Sequence, residues 1–151
     1  MKKDPRKSLK TPLRYPGGKS RACTKMDPYF PDLRSYTEFR EPFLGGGSVA
    51  IHVSKKYPHL KVTVNDLYEP LVNFWVQLQT FGDDLTEKIR NYKSTHPEPE
   101  SAKELFLEAK RRINDTSFDA IERAAAFYIV NKCSFSGLTE SSSFSQSRSE
   151  E

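Results

Sequence analysis

The feature that most constrains the fold of this chain is a run of three glycines at residues 45–47, within the stretch FREPFLGGGSVAIHV. Before the run, SYTEFRE alternates side-chain types as a strand does, and after it the apolar residues recur at helical spacing. Glycines allow backbone torsions and close approaches that a Cβ forbids. The run therefore predicts a tight strand-to-helix turn that can admit a ligand at the helix N-terminus.

A second strand and a long helix complete a recognisable unit. LKVTVND is rich in β-branched residues, and PLVNFWVQLQTF reads as an apolar helix that begins near Glu69, with Pro70 in its first turn. The order strand, glycine turn, helix, strand is typical of a βαβ unit with two parallel strands. We therefore expect an α/β fold.

Beyond residue 82 the sequence predicts helices and no further strand. DDLTEKIRNYKS and SAKELFLEAKRRI are separated by the proline-containing link THPEPE. A third helix is predicted to start at Thr116, where Thr116 and Asp119 have the spacing of a capping box. The last nineteen residues contain eight serines, a composition typical of a loop or disorder.

Composition and charge narrow the class of protein. The chain has 151 residues, and no run approaches the roughly 18 apolar residues of a membrane span, so we expect a cytoplasmic protein. The spacing of the two cysteines argues against a zinc site or a disulfide framework. Residues 1–26 carry nine Lys or Arg against the single Asp4, within a net charge of +4. A basic N-terminal arm, residues 1–11, suits a polyanion such as DNA, although a solvated tail has the same composition.

The glycine turn has the spacing of an adenosine-cofactor site. Residues 45–50 satisfy G-x-G-x-x-A, and Asp66 follows Gly46 by twenty positions, where an acid can bind ribose hydroxyls. A dinucleotide and S-adenosylmethionine both remain open on this pattern, as does a turn without a ligand. Glu41 favours S-adenosylmethionine, because a carboxylate beside the turn would repel a pyrophosphate and attract an ammonium or sulfonium.

A second glycine motif, LRYPGGKS, contains Tyr15 and Lys19. Leu13 stands where the Walker A pattern requires glycine, so a phosphate-binding loop is not predicted. Lys19 can anchor a carboxylate, and Tyr15 can stack on a flat ring. Each of them, taken alone, also fits an ordinary surface residue.

Together these motifs resemble the Dam-like family of DNA adenine methyltransferases. LRYPGGKSR, FREPFLGGGSVAI and VNDLYEPLVNFW resemble its cofactor motifs. AFYIVNKCSFSGLTESSSFS is similar to the start of its target-recognition hairpin, through Asn131, Phe135, Ser136, Gly137 and Leu138. The resemblance implies that S-adenosylmethionine is bound by Tyr15, Lys19, Glu41, Pro42, Phe43, Gly45, Gly47 and Asp66.

The resemblance also implies a fold and a reaction. The fold is an incomplete class I methyltransferase (Rossmann-like) sheet at residues 12–82, with an inserted helical target-recognition segment at residues 83–151. Within that segment Arg111, Arg112 and Lys132 are candidates to face DNA phosphates, and ordinary solvated helix faces explain these three residues equally well. The reaction is methyl transfer from S-adenosylmethionine to the exocyclic amine of adenine in double-stranded DNA.

The catalytic turn of the family, Asp-Pro-Pro-Tyr, does not occur in these 151 residues, and the nearest string is DPYF at residues 27–30. No catalytic residue is therefore assigned, and Asp27 is predicted to be a turn residue. The sequence predicts an N-terminal portion of the enzyme that is inactive alone, and that either is poorly stable or needs a second polypeptide carrying the catalytic turn. The alternatives are a non-catalytic remnant that binds DNA or S-adenosylmethionine, and a dinucleotide-binding domain.

Overall fold

A computed structural model describes residues 9–134 and 143–149 of the chain. Most of the predicted basic arm, residues 1–8, lies outside the described residues. So do Phe135, Ser136, Gly137 and Leu138 of the predicted recognition hairpin, together with much of the serine-rich tail. Those predictions are therefore not examined by the structure.

The described chain contains seven α-helices, two short 3₁₀ helices and two strands. In chain order they are α1 (Cys23–Met26), the 3₁₀ helices Asp27–Tyr29 and Leu33–Ser35, β1 (Glu38–Glu41), α2 (Ser48–Lys56), β2 (Lys61–Val64), α3 (Glu69–Thr80), α4 (Gly82–Thr95), α5 (Pro99–Arg112), α6 (Ala120–Cys133) and α7 (Gln146–Ser149). Within the described ranges, no helix is both long enough and apolar enough to cross a membrane.

The two strands pair in parallel, which confirms the predicted strand order around the glycine turn. Glu38 lies opposite Lys61, and Glu41 lies opposite Val64 at the other end of the ladder. Parallel strands must be joined by a crossover. Helix α2 is that connection, and it returns the chain to the end of the sheet at which β1 begins. Both carboxyl ends therefore lie together, one leading into the glycine turn and the other into Asp66.

The described chain divides into two compact units. The first contains residues 9–12 and Gly17–Leu67, and the second contains Leu13–Pro16 and residues from Tyr68 onward. The core of the first unit is small, with Leu33, Val53 and Leu60 buried at its centre. Helix α3 belongs to the second unit. The predicted division of roles, with cofactor binding before residue 83 and target recognition after residue 82, stays a prediction.

The second unit is built around α6. This helix is buried on most of its circumference, and α3, α4 and α5 all pack against it. Three consecutive alanines, residues 124–126, are almost completely buried, and side chains this small let neighbouring helices approach closely. Phe74 of α3 packs between Phe127 and Tyr128, with ring centroids 5.6 and 5.9 Å away. Burial of this kind dominates the stability of a helical unit.

An ionic cluster joins α4, α5 and α6. Glu122 accepts hydrogen bonds from Lys88 at 2.7 Å, from Arg112 at 2.6 Å and from the Tyr92 hydroxyl, while Arg112 also pairs with Glu108. Arg112 is therefore committed to structural ion pairs, which argues against its predicted role as a phosphate contact. Burial alone would raise the pKa of Glu122, but the bonds from Lys88 and Tyr92 outweigh burial and lower it.

The predicted start of α6 at Thr116 is wrong. The helix begins at Ala120, and Asp119 is its N-cap, with its carboxylate accepting from the Glu122 amide at 2.7 Å. Before it, Asp115 accepts from both the amide and the hydroxyl of Ser117. Such a local side-chain turn competes with helix formation, so the helix starts at the next available cap.

Replacement of the true cap should therefore destabilise the protein. We expect Asp119→Ala to lower the free energy of unfolding by about 1 kcal/mol, because an amide of the first turn of α6 loses its partner. Thr116→Ala, at the wrongly predicted cap, is the matched control and should change it by less than about 0.5 kcal/mol. Urea denaturation followed by circular dichroism measures both, and equal losses would contradict the assignment.

The lowered pKa of Glu122 predicts a pH dependence. Because the folded state holds the ionised form, the stabilisation is present above the ordinary glutamate pKa of about 4.3 and is lost as pH falls through the lower folded value. We expect Glu122→Gln to lose less stability than the wild type between pH 7 and pH 3. Glu104→Gln, at an exposed position of α5, is the control and should follow the wild type. The free energy of unfolding is measured by urea titration at each pH. If it falls with pH equally in Glu122→Gln and the wild type, the prediction is refuted.

Candidate cofactor-binding site

The glycine turn adopts backbone conformations that explain its composition. Gly45 and Gly47 have positive φ angles of 50° and 73°. Gly47, in the left-handed region, is the N-cap of α2. Side chains with a Cβ are strained in this region. The amides of the first turn of α2 are thus directed to the edge of the sheet where both strands end.

Three hydrogen bonds fasten this turn to the end of β2. Asn65 donates its amide to the Glu41 carbonyl, and the Leu44 amide donates to the Asn65 carbonyl, each at 2.9 Å. The Gly45 amide donates to Oδ2 of Asp66, also at 2.9 Å. The structure therefore brings the predicted ribose acid directly against the predicted glycine cradle.

Glu41 is the last residue of β1, and its side chain turns toward the start of α2. The Ala50 backbone amide, in the first turn of the helix, faces its carboxylate and favours the ionised form. Its Oε2 atom is buried and has no hydrogen-bond partner among the described residues. Burial raises the pKa of Glu41, and the Ala50 amide opposes that shift only in part. A buried acceptor without a donor is costly, and so the site favours a ligand that brings one.

The part of the second glycine motif that belongs to the first unit, residues 17–20, lies beside this cradle. The hydroxyls of Ser20 and Ser48 are 2.7 Å apart, and the Cys23 thiol donates to the Ser48 carbonyl at 3.6 Å. Lys19 is exposed, and its ammonium donates to the Gly17 carbonyl at 2.6 Å. Lys19 therefore lies on a loop that is anchored to the first residue of α2.

The remaining predicted cofactor-binding residues, Pro42, Phe43 and Tyr15, are exposed. Pro42 and Phe43 follow Glu41 and are exposed, and 86% of the surface of Phe43 is accessible. Tyr15 belongs to the second unit, where 38% of its surface is accessible. The structure thus brings Glu41 and Asp66 to the glycine turn and leaves Phe43 and Tyr15 as accessible aromatic rings.

Asp27 begins a 3₁₀ helix and has a structural role. Its two carboxylate oxygens bond to His52 at 2.8 Å and Lys56 at 3.1 Å, both on α2. The hydrogen bond from His52, aided by Lys56, lowers the pKa of Asp27. This agrees with its prediction as a turn residue, and its oxygens are engaged in holding α2.

Comparison with known proteins identifies the family. Residues 15–149 match the family model of the D12 class N6 adenine-specific DNA methyltransferases. The chain belongs to this family. The match spans both glycine motifs and all the described helices of the second unit.

Three relatives illustrate the range of similarity within this methyltransferase family. The chain is 26% identical over 133 residues to the type II methyltransferase M.MjaIII of Methanocaldococcus jannaschii, covering 83% of the chain and 46% of the relative. It is 28% identical over 126 residues to a DNA adenine methylase of Vibrio cholerae, covering 83% and 42%. It is 27% identical over 127 residues to the DNA N-6-adenine-methyltransferase of Escherichia phage P1, covering 84% and 15%. The chain thus spans less than half the length of these relatives.

Sequence reasoning missed several members of the site. Ser20, Ser48 and Cys23 link the two glycine motifs, and the Ala50 amide holds Glu41. Ser48 directly follows the last glycine, so its position at the start of the helix was a usable signal. The contacts of Ser20 and Cys23 join residues more than twenty positions apart, and nothing in their local sequence indicates them.

The residues present fit the cofactor that the family generally uses, S-adenosylmethionine. The deciding feature is the unpartnered Oε2 of Glu41, which suits a ligand with ammonium donors. Asp66 adds a second carboxylate at the same turn. Glu41 at this edge suits a cationic guest better than a pyrophosphate.

Glu41→Gln tests whether this carboxylate serves binding or stability. We expect the dissociation constant for S-adenosylhomocysteine to rise roughly 10- to 100-fold, because a charge-assisted bond to the ligand ammonium is lost. Stability at pH 7 should be unchanged or higher, since the raised pKa means that ionisation of Glu41 opposes folding as pH rises. Calorimetry and thermal denaturation measure the two effects. A less stable variant with unchanged affinity would show that Glu41 is only a helix cap.

Proposed function

We propose that this chain is the cofactor-binding and first target-recognition portion of an adenine-specific DNA methyltransferase. The reaction transfers a methyl group from S-adenosylmethionine to the exocyclic amine of adenine in double-stranded DNA. The observation that carries the proposal is the buried, unpartnered carboxylate oxygen of Glu41 beside a glycine turn that Asp66 fastens. Membership of the family supplies the type of reaction.

Each residue at the turn has a distinct task in this proposal. Glu41 accepts from the ammonium of the methionyl part, and Lys19 contacts its carboxylate. Asp66 accepts from the ribose hydroxyls, since a carboxylate has capacity beyond its bond to the Gly45 amide. Pro42, Gly45 and Gly47 shape the backbone of the cradle. S-adenosylmethionine supplies a methyl group on a positively charged sulfur.

The exposed aromatic rings have binding tasks as well. Phe43 covers the cofactor, and Tyr15 stacks on its adenine ring, since stacked aromatic pairs gain energy beyond the area that they bury. Both rings are accessible without any change in the described packing. Removing either ring should weaken binding without altering the stability of the core.

The catalytic turn has to come from polypeptide other than these 151 residues, which contain no Asp-Pro-Pro-Tyr. Asp27, in the string DPYF that is most similar to that turn, is committed to His52 and Lys56. The sheet supports the same view, because the described chain contributes two strands and a two-stranded sheet is marginal alone. We propose that a further polypeptide pairs with this sheet and places the catalytic turn beside the cradle.

Double-stranded DNA is the proposed partner. The first 26 residues are rich in Lys and Arg, and Lys19, Arg21 and Lys25 are exposed among those that the structure describes. Arg111 is also exposed, on α5. Phosphate contacts from such side chains position a protein on the duplex and weaken with salt.

Binding and transfer assays separate this function from its rivals. We expect the purified chain to bind S-adenosylhomocysteine more tightly than NAD in calorimetry, because Glu41 repels a pyrophosphate. Asp66→Asn should weaken that binding by about 10-fold, and Asp27→Asn is the matched acid-to-amide control outside the cradle. Preferential binding of NAD would refute the proposal.

Methyl transfer is tested with tritiated S-adenosylmethionine and DNA of mixed sequence. The chain alone should incorporate no label. Addition of a polypeptide from the Methanocaldococcus jannaschii relative, comprising its portion beyond the matched stretch, should produce labelled N6-methyladenine. Label incorporated by the chain alone would refute the proposed division of the catalytic machinery.

A further inference from the structure

A cavity lies within the second unit, between the C-terminal half of α4, the first half of α5, the C-terminal half of α6 and the short helix α7. Its volume is about 250 Å³. An apolar cavity of about 150 Å³ is enough to hold one benzene ring. This cavity therefore has room for a ligand with two fused rings. All the described residues that line it belong to the second unit.

The walls of the cavity are largely apolar and aromatic. Ile89 of α4, Leu105 of α5 and Ile129 of α6 line it, and the last two are buried. The rings of Tyr92 and Tyr128 line it as well. An aromatic ring gains energy from a stacked partner beyond the area that is buried. Such a lining suits the flat, apolar body of a small ligand.

The lining is also positively charged. Lys93, Lys132 and Arg148 line the cavity, and no carboxylate does so among the residues that the structure describes. The Lys132 ammonium lies 5.5 Å from the centroid of the Tyr128 ring, so charge and aromatic surface are side by side. An anionic group bound here would be paired with opposite charge, whereas a cation would be repelled.

The Cys133 thiol reports the electrostatics of the same cavity, which it also lines. Burial raises the pKa of Cys133, and the charges of Arg14 and Lys93 oppose that shift because they favour the thiolate. The charge of Lys93 therefore acts on a group at the cavity wall, as it would on a bound anion. His96 completes this side of the lining, and its Nδ1 atom donates to the Tyr92 carbonyl at 3.0 Å.

We propose that this cavity is a binding site for a small aromatic acid, with a flat ring system against the apolar wall and an oxyanion at Lys93, Lys132 and Arg148. Lysine and arginine bind carboxylate and phosphate oxygens through charge-assisted hydrogen bonds. The inference goes beyond the proposed function, since the site proposed for S-adenosylmethionine at Glu41 and Asp66 lies in the first unit. The two sites suit ligands of opposite charge.

A matched pair of probes tests the proposal on the full chain. Indole-3-acetate and indole-3-acetamide have nearly the same shape and differ in charge, and 1-naphthyl phosphate shows whether phosphate is preferred to carboxylate. We expect at least one of the two anions to bind with a dissociation constant of about 1 mM or lower, measured by protein NMR titration. The neutral amide should bind at least about 10-fold more weakly than the acetate. Equal affinity for acetate and amide, or binding of neither anion, would overturn the inference.

Alkylation of Cys133 by N-ethylmaleimide locates the bound anion. At about ten times its dissociation constant, the tighter-binding anion should slow this reaction about 10-fold, because it covers the thiol at the cavity wall. Cys23, which is buried in the first unit, is the reference within the same chain, and its rate should not change. Mass spectrometry measures both rates. An unchanged rate at Cys133, or equal slowing at both thiols, would overturn the inference.

Lys93→Gln tests the charge of the site. Lys93 is exposed, so its replacement should leave the fold intact. We expect this variant to bind indole-3-acetate about 5-fold more weakly and the amide within about 2-fold of the wild type, because an exposed ion pair is lost. Lys103→Gln is the matched control at an exposed position of α5 outside the lining, and it should change neither constant more than about 2-fold. Equal effects of the two substitutions would overturn the inference.

Ala102→Leu tests the space inside the cavity. Ala102 lines the cavity from α5, and a larger side chain there should fill part of it and abolish the binding of both indole probes. Circular dichroism checks that the variant is folded. Binding as tight as that of the wild type in folded Ala102→Leu would overturn the inference. If this variant does not fold, Lys93→Gln and the protection of Cys133 still decide the outcome.

Discussion

The first unit depends on the hydrogen bonds that join the glycine turn to the carboxyl end of β2. Without them the Leu44 and Gly45 amides would each lose a partner, at a cost of about 1 to 3 kcal/mol for a buried group. The same bonds determine where α2 begins and therefore where the Ala50 amide meets Glu41. The buried core of this unit is small, with Leu33, Val53 and Leu60 at its centre.

The second unit uses a different balance of forces. Its central helix is buried by aromatic and aliphatic contacts, and two polar side chains on that helix are bonded to partners from other segments. Glu122 is paired through α4 and α5, and Asn131 is paired through Arg14. Buried polar groups that are fully bonded specify one arrangement of helices, because any shift leaves a donor or acceptor unpaired.

Sequence reasoning performed well where the signal was local. The order of strands and helices around residues 45–47 and the approximate bounds of α3, α4 and α5 follow from periodicity and from proline or glycine signals. It failed at the start of α6, where Asp119 rather than Thr116 caps the helix. The sequence offers both residues as caps, and the choice depends on the turn that Asp115 forms with Ser117. It named Arg112 as a candidate phosphate contact and did not foresee its ion pairs, since ion pairs between helices cannot be read from the sequence before the packing of the helices is known.

The sequence predicted the acids and glycines of the candidate site. It did not predict the hydrogen bonds that link the site to residues far away in the chain. Glu41 and Asp66 were identified from spacing, and both lie at the turn. The unpartnered oxygen of Glu41 could not be predicted, because it depends on which side chains exclude water from that atom. The bonds of Ser20 and Asn131 join residues that are 28 and 117 positions away along the chain, respectively.

The short segment Leu13–Pro16 belongs to the second unit although the whole of Gly17–Leu67 intervenes. During synthesis this segment leaves the ribosome long before α6 exists, so it has to wait for its partner while the first unit folds. Closing so large a loop is slow, because chain entropy is lost before any contact repays it. We therefore expect the second unit to be completed late in folding. The last step is the binding of Arg14 to the end of α6.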